Sequence, residues 1–218
     1  SLVNNDIIII DDKQYSGLSH LLKKCLEQPY INFLKPTYLC PIHGDLTFEN
    51  ILYKDDHYNL TTNSYKNSVK LIDTDCIDFI DPPELDLGKI FQSVVSQYEL
   101  WSDKSEPLVK ICGPKEIALN FNVDIDLLKD LDEYISFFNG IIGGNSKEIE
   151  IKGRFYMALH LIRMLPFRLS VSEDQAMFAL ASAIKELSIV LEMIKNLPNQ
   201  NRVVKLSVEK ENFGENKK

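Results

Sequence analysis

Apolar positions along the chain alternate between strand-like runs and helical spacing. Ile7 to Ile10 is an unbroken β-rich run ending in Asp11-Asp12-Lys13, which predicts a strand and a turn. Leu18, Leu21, Leu22, Cys25 and Leu26 then recur at helical spacing, and Pro29 stops that helix. Leu87, Ile90, Phe91, Val94, Val95 and Tyr98 place a second helix over about 84–101. Residues 127–138 predict a third, ended near Gly140, and the strongly apolar stretch 155–165 a fourth, stopped by Pro166. Ser172 followed by Gln175 is a capping-box signature. It opens a long helix to about Asn196 that buries Ala176, Ala179, Leu180, Ala183, Leu187 and Val190.

Between the first two helices the rhythm shortens. Tyr38 to Ile42 is an extended approach, Ile51-Leu52-Tyr53 a short strand, and Val69-Lys70-Leu71-Ile72 a returning strand. The polar, turn-rich residues 55–68 read as the tip of the hairpin between them. The expected fold class is therefore α+β, mainly α, with one small β-hairpin. No internal repeat or linker splits residues 1–198, whereas 199–218 is polar and charged and is expected to fray.

Composition narrows the function classes. At 44% hydrophobic, the 218 residues can bury a sizeable core. A net charge of −8 with no offsetting basic patch argues against nucleic acid. Ile7 to Ile10 is too short for a membrane span or signal segment. The four cysteines, Cys25, Cys40, Cys76 and Cys112, show no metal or C-x-x-C spacing, and reduced thiols suit a cytoplasmic location. Asn59-Leu60-Thr61 is read as a chance glycosylation match.

The candidate chemistry lies in the hairpin region. Ile42-His43-Gly44-Asp45-Leu46-Thr47-Phe48-Glu49-Asn50 reads H-x-D-x-x-x-x-N, and Leu71-Ile72-Asp73 brings another acid after an apolar run. Kinases use such a set for phosphoryl transfer: one Asp accepts the acceptor proton, while an Asn and a later Asp hold Mg²⁺. Asp45 is the expected base. His43 is grouped with it in the catalytic loop, orienting that loop by hydrogen bonding. Asn50 and Asp73 are the expected metal and nucleotide ligands. Asp75 would be a second metal ligand or would support the ligands from behind, because residues two apart on a strand face one side. Asp86 is expected to anchor the catalytic-loop backbone from its helix. Arg154, Arg163 and Arg168 are candidates for an anionic substrate group, with a solvated helix face as the alternative.

The string His43-Gly44-Asp45-Leu46-x-x-x-Asn50-Ile51-Leu52, with Leu71-Ile72-Asp73 and Asp81-Pro82-x-x-x-Asp86-Leu87, resembles the aminoglycoside phosphotransferase and choline kinase superfamily. Asp86-Leu87-Gly88-Lys89-x-x-x-Ser93 and the run from Phe155 to Arg168 resemble a branch found in capsule and surface-polysaccharide gene sets. The resemblance spans roughly Ile7 to Leu191. It implies a protein-kinase-like C-terminal lobe over 1–198, ATP as donor, Mg²⁺, and a small-molecule hydroxyl acceptor. Kinases of this kind also carry an N-terminal β-lobe with a phosphate-covering loop and a strand Lys. The residues before His43 contain neither, and Lys23 and Lys24 lie on the first expected helix. An N-terminal lobe or fused upstream domain is therefore an expected partner, and the chain alone is expected to turn over poorly.

Three functional readings follow. The first is a kinase lobe acting on a sugar or amino alcohol. The second is a non-catalytic kinase-like interaction module, against which the intact Asp45, Asn50 and Asp73 argue. The third is a glycosyltransferase holding a nucleotide-sugar through a metal on Asp73-x-Asp75, which leaves the His43-to-Asn50 loop unexplained.

Overall fold

A computed structural model describes residues 6–36, 38–59, 64–74, 80–102 and 106–197. The fold is α+β and mainly helical. Its centre is a helical layer in which α6 (Ser146–Val171) packs between α3 (Glu84–Val94) and α7 (Glu173–Lys195). The N-terminal helices α1 (Leu18–Cys25) and α2 (Tyr30–Leu34) also lie on α7, and α1 buries Leu18, Leu21 and Cys25 as its spacing requires. The long helix α7 starts where the capping box places it, with Ser172 Oγ accepting from Gln175 N.

The contact between α3 and α6 is unusually close because each helix contributes a glycine. A Cβ on Gly88 would stand 2.7 Å from Tyr156 Cβ and 2.8 Å from its backbone carbon. One on Gly153 would stand 2.7 Å from the Phe91 ring. Both are helix-interior positions, where glycine costs about 1 kcal/mol relative to alanine. The close approach is what that cost secures.

Several elements depart from the apolar pattern, each for a local reason. Among the described residues there are three small sheets rather than a single hairpin. A four-stranded sheet runs in the order β2 (Lys13–Ser16), β1 (Ile7–Ile10), β8 (Glu116–Leu119), β7 (Val109–Gly113), with β1 and β8 parallel. It is anchored to α7 by Asp174, whose carboxylate accepts from Leu108 N and Val109 N. The expected hairpin is β4 (Ile51–Asn59) with β5 (Ser64–Leu71), and its ladder runs to Asn59↔Ser64. Residues assigned to its tip are thus mostly strand. A two-residue pair, β3 (Cys40–Pro41) with β6 (Ile80–Asp81), closes the base of the loop that leads to Asp45.

The helix expected to reach Trp101 ends at Val94. Gln97, fully buried with φ +49, bonds the Asp124 backbone in both directions at 2.8 Å and turns the chain away. The third expected helix is split into α4 (Ile125–Lys129) and α5 (Leu131–Ile142), and it ends at Gly143 rather than Gly140. The fourth starts earlier, because Asn145 Oδ1 caps Glu148 N, and it runs through Pro166. Arg168 ties the turn after Pro166 to Gln175 and to the Tyr98 hydroxyl, which offsets the bond that proline removes. The tail over 199–218 lies outside the described residues. No described helix is long and apolar enough to cross a membrane.

Candidate active site

The loop between β3 and β4 is held by one face of α3. Asp86, in the first turn of α3 and 8% exposed, accepts two loop amides. His43 N donates to Oδ2 at 2.8 Å and Gly44 N to Oδ1 at 2.9 Å. The turn that presents both amides passes through Gly44 at φ +86, a conformation glycine adopts at little cost. Burial pushes the Asp86 carboxyl above its ordinary range, and these two hydrogen bonds oppose that shift.

His43 is buried and joins the loop to the end of β5. Its Nδ1 accepts from Asp45 N at 3.3 Å, and its Nε2 lies 3.0 Å from the Ile72 carbonyl. An amide N–H only donates and a carbonyl only accepts, so these partners define the neutral Nε2–H tautomer. The ring orients Asp45 and its neighbour strand.

Asn50 closes the 3-10 turn Phe48–Asn50. Its Nδ2 donates to the Asp45 carbonyl at 2.8 Å and to Asp45 Oδ2 at 3.1 Å. Asp45 Oδ1 pairs with Lys89 Nζ of α3 at 2.7 Å, where the side chains are 33% and 12% exposed. Phe48 N donates to Ser93 Oγ at 3.1 Å, and Ser93 in turn donates to Glu99. Positions 86, 89 and 93 of α3 therefore grip positions 43–44, 45 and 48 of the loop in order. Behind them His160 of α6 donates to the Leu85 carbonyl at 3.0 Å. Burial pulls the His160 pKa down to about 4, helped by the nearby Lys89 cation, so the ring is neutral.

Asp73 is placed differently. The strand β5 ends at Leu71, and Asp73 follows it exposed, at φ +55. Left-handed backbone costs most non-glycine residues about 1–2 kcal/mol, with Asp and Asn the most tolerant. Ile72, just before it, donates its N–H to the Asn50 carbonyl at 3.0 Å, which keeps this corner beside the loop. The expectation that Asp75 shares a strand face with Asp73 is corrected, because Asp73 is not in a strand. Asp75 itself lies outside the described residues.

The donors fit a magnesium–nucleotide site in kind. Asn50 Oδ1 takes no hydrogen bond among the described residues, and the Asp73 carboxylate is open. Both are hard oxygens of the type Mg²⁺ prefers, with water and phosphate completing its shell. No group of three or more His, Cys, Asp or Glu side chains among the described residues is arranged to hold a metal. Of the arginines, Arg154 is committed to Glu150 and Glu186 at 3.1 and 2.9 Å, and Arg168 to Gln175 and the face of Tyr98. Arg163 is exposed and has no ion-pair partner among the described residues.

Lys89 and Ser93 had no role in the sequence reading beyond their place in a motif. The signal was present: both are polar positions at i+3 and i+7 from Asp86, the spacing that puts residues on one helix face. The chain matches no protein-family model, no curated protein and no solved structure.

Proposed function

We propose that the chain is the catalytic part of an ATP- and Mg²⁺-dependent phosphotransferase acting on a hydroxyl of a small molecule such as a sugar or amino alcohol, in a protein-kinase-like C-terminal lobe. The observation that carries this reading is the Asp45–Asn50 pair: a carboxylate held by the amide of a would-be metal ligand, on a loop whose backbone is pinned by Asp86. Phosphoryl transfer depends mostly on such positioning and on charge placement. In the reaction the acceptor hydroxyl gives its proton to Asp45 as its oxygen bonds to the γ-phosphorus. The bond from that phosphorus to the β,γ-bridging oxygen breaks, and ADP leaves. Bound Mg²⁺ would neutralise phosphate charge between Asn50 and Asp73. An N-terminal lobe or fused upstream domain is the proposed partner that clamps the other side of the nucleotide. The resemblance to surface-polysaccharide phosphotransferases supports a sugar-like acceptor.

The test is a coupled ADP-release assay with Mg·ATP across sugars and amino alcohols, run on wild type and Asp45→Asn. Acceptor-dependent ADP release is expected when the nucleotide-clamping lobe or domain is present, and little or none from the chain alone. The substitution should cut turnover by about 10²–10⁴-fold while leaving Mg·ATP affinity nearly intact, because the base acts at the acceptor. Full activity in Asp45→Asn would overturn the reading.

A further inference from the structure

Asp45 poses an electrostatic problem that the proposed chemistry must solve. A carboxylate base and the anionic oxygens of a γ-phosphoryl group have to approach the same hydroxyl oxygen, and like charges this close repel by several kcal/mol in a partly desolvated site. Mg²⁺ held by Asn50 and Asp73 would supply its charge to the nucleotide phosphates. The cation on the base side is Lys89, whose Nζ is 2.7 Å from Asp45 Oδ1.

Three features make Lys89 more than a surface counter-ion. Its side chain is only 12% exposed, so its charge is weakly screened. It rides on α3 next to Gly88, where the backbone is wedged against Tyr156 and Met157, so its stem starts from a fixed point. An ammonium has three donors, and Asp45 is its one salt-bridge partner among the described residues. Asn50 already holds the other Asp45 oxygen at 3.1 Å, so losing Lys89 would not release the carboxylate from the loop.

We propose that Lys89 is a catalytic residue of the phosphotransfer site: its ammonium bridges Asp45 and the γ-phosphoryl group, spending one donor on the base and another on a phosphate oxygen. This inference rests on the phosphotransfer reading. The bonds made and broken are those of that reaction, and Lys89 gains or loses no proton. In the absence of nucleotide the same cation caps Asp45.

The consequence is a preference for a triphosphate over a diphosphate that depends on Lys89. Calorimetry on the full chain with Mg²⁺ and the non-hydrolysable β,γ-imido analogue of ATP, set against Mg·ADP, reads it directly. Wild type should bind the triphosphate analogue more tightly. Lys89→Met and Lys89→Gln should each lose roughly tenfold or more of that preference, the range of a charge-assisted hydrogen bond, with ADP affinity unchanged. Lys89→Arg, which keeps the charge, should retain part of it. On wild type carrying ¹³Cε-lysine, the Lys89 resonance, assigned by its absence in Lys89→Arg, should move with the triphosphate analogue and not with ADP. That readout needs no neutral variant to fold. Unchanged discrimination in Lys89→Met and Lys89→Gln, or a Lys89 signal indifferent to the γ-phosphate, overturns this inference and leaves the phosphotransfer reading standing. Wild type that binds neither nucleotide with the clamping lobe or domain present overturns both.

Discussion

Asp45 and Asp73 lie on segments joined at Ile72, whose N–H donates to the Asn50 carbonyl and whose carbonyl faces His43 Nε2, yet their surroundings differ in kind. Around Asp45, Asp86, His43, Asn50, Ser93 and Lys89 each spend a polar atom on the loop, and three of them come from a single helix face. Around Asp73 the chain has just left a hairpin whose apolar residues Tyr53, Val69 and Leu71 are exposed, and the residue itself sits in left-handed backbone. A base must be in position before its substrate arrives, so its geometry is fixed by the core. A magnesium ligand shares its ion with water and phosphate, so its shell can be completed on binding. On the proposed function, one half of the site is pre-organised and the other is left for the nucleotide to finish.

The sharpest way to break this contrast is to remove the anchor. Asp86→Ala leaves two loop amides without their acceptor at a site where Asp86 is 8% exposed. Hydrogen bonds to a charged group contribute about 1.5–3 kcal/mol each, and their losses are not additive, so we expect a drop of about 2–4 kcal/mol in unfolding free energy. Urea denaturation measures it, and hydrogen exchange at His43 and Gly44 should accelerate beyond the global effect. A change below about 0.5 kcal/mol, typical of an unconstrained surface site, would mean that α3 does not hold the loop.

Beneath the anchored half, His160 makes stability depend on pH. Its folded pKa is about 4 against 6.5 for the free group, so between those values the unfolded chain binds a proton that the folded chain does not. Stability is therefore full above pH 6.5 and is lost as pH falls toward 4. At pH 5 the loss attributable to this ring is roughly 2 kcal/mol. His160→Gln, which keeps a donor for the Leu85 carbonyl but cannot titrate, should flatten the stability profile between pH 7 and 5. An equally steep profile in the variant would assign the dependence to other groups.

The glycine crossing that carries Lys89 and Asp86 gives a smaller effect. Gly88→Ala drives a methyl into Tyr156 backbone, which cannot swing aside. Overpacking costs about 1–3 kcal/mol, while alanine returns close to 1 in helix propensity, so a net loss of up to about 2 kcal/mol is expected from thermal or urea unfolding. Gly153→Ala first meets the Phe91 ring, a side chain and not backbone, and should cost less. An equal loss at both positions would show that backbone clearance is not what Gly88 provides.

What the sequence made legible follows the range of the interactions involved. The loop residues His43, Asp45 and Asn50 hold one another within eight positions, and the Ser172 cap acts over three, so short-range reading placed them. The sheet that pairs β1 with β8 joins residues about a hundred positions apart, and nothing local in Val109–Gly113 announces it. The end of α3 is set by Gln97 reaching Asp124, which overrides an apolar period that continues to Tyr98. Pro166 reads as a stop, and only the bonds of Arg168 to Tyr98 and Gln175 show why the helix continues. Lys89 became part of the site only once α3 was docked on the loop, because its spacing from Asp86 says which face it shares and not what that face meets.

The finest distinction between the two halves is at Asp73. If its φ of +55 is strain kept for function, then Asp73→Gly should relieve it. Glycine gains by accepting left-handed backbone and loses through the added freedom of the unfolded chain, so stability should rise slightly or stay level, within about 1 kcal/mol of wild type. The carboxylate is exposed, so no packing is lost with it. Magnesium-dependent nucleotide affinity, measured by calorimetry with the β,γ-imido analogue of ATP, should fall by at least tenfold, since one hard oxygen ligand is gone. Asp73→Asn should behave otherwise: it tolerates the same backbone and keeps a neutral oxygen, so part of the affinity should remain. A stable Asp73→Gly that binds Mg²⁺ and nucleotide like wild type would remove Asp73 from the site and end the comparison. A variant that loses several kcal/mol would show instead that this corner is held as tightly as the loop around Asp45.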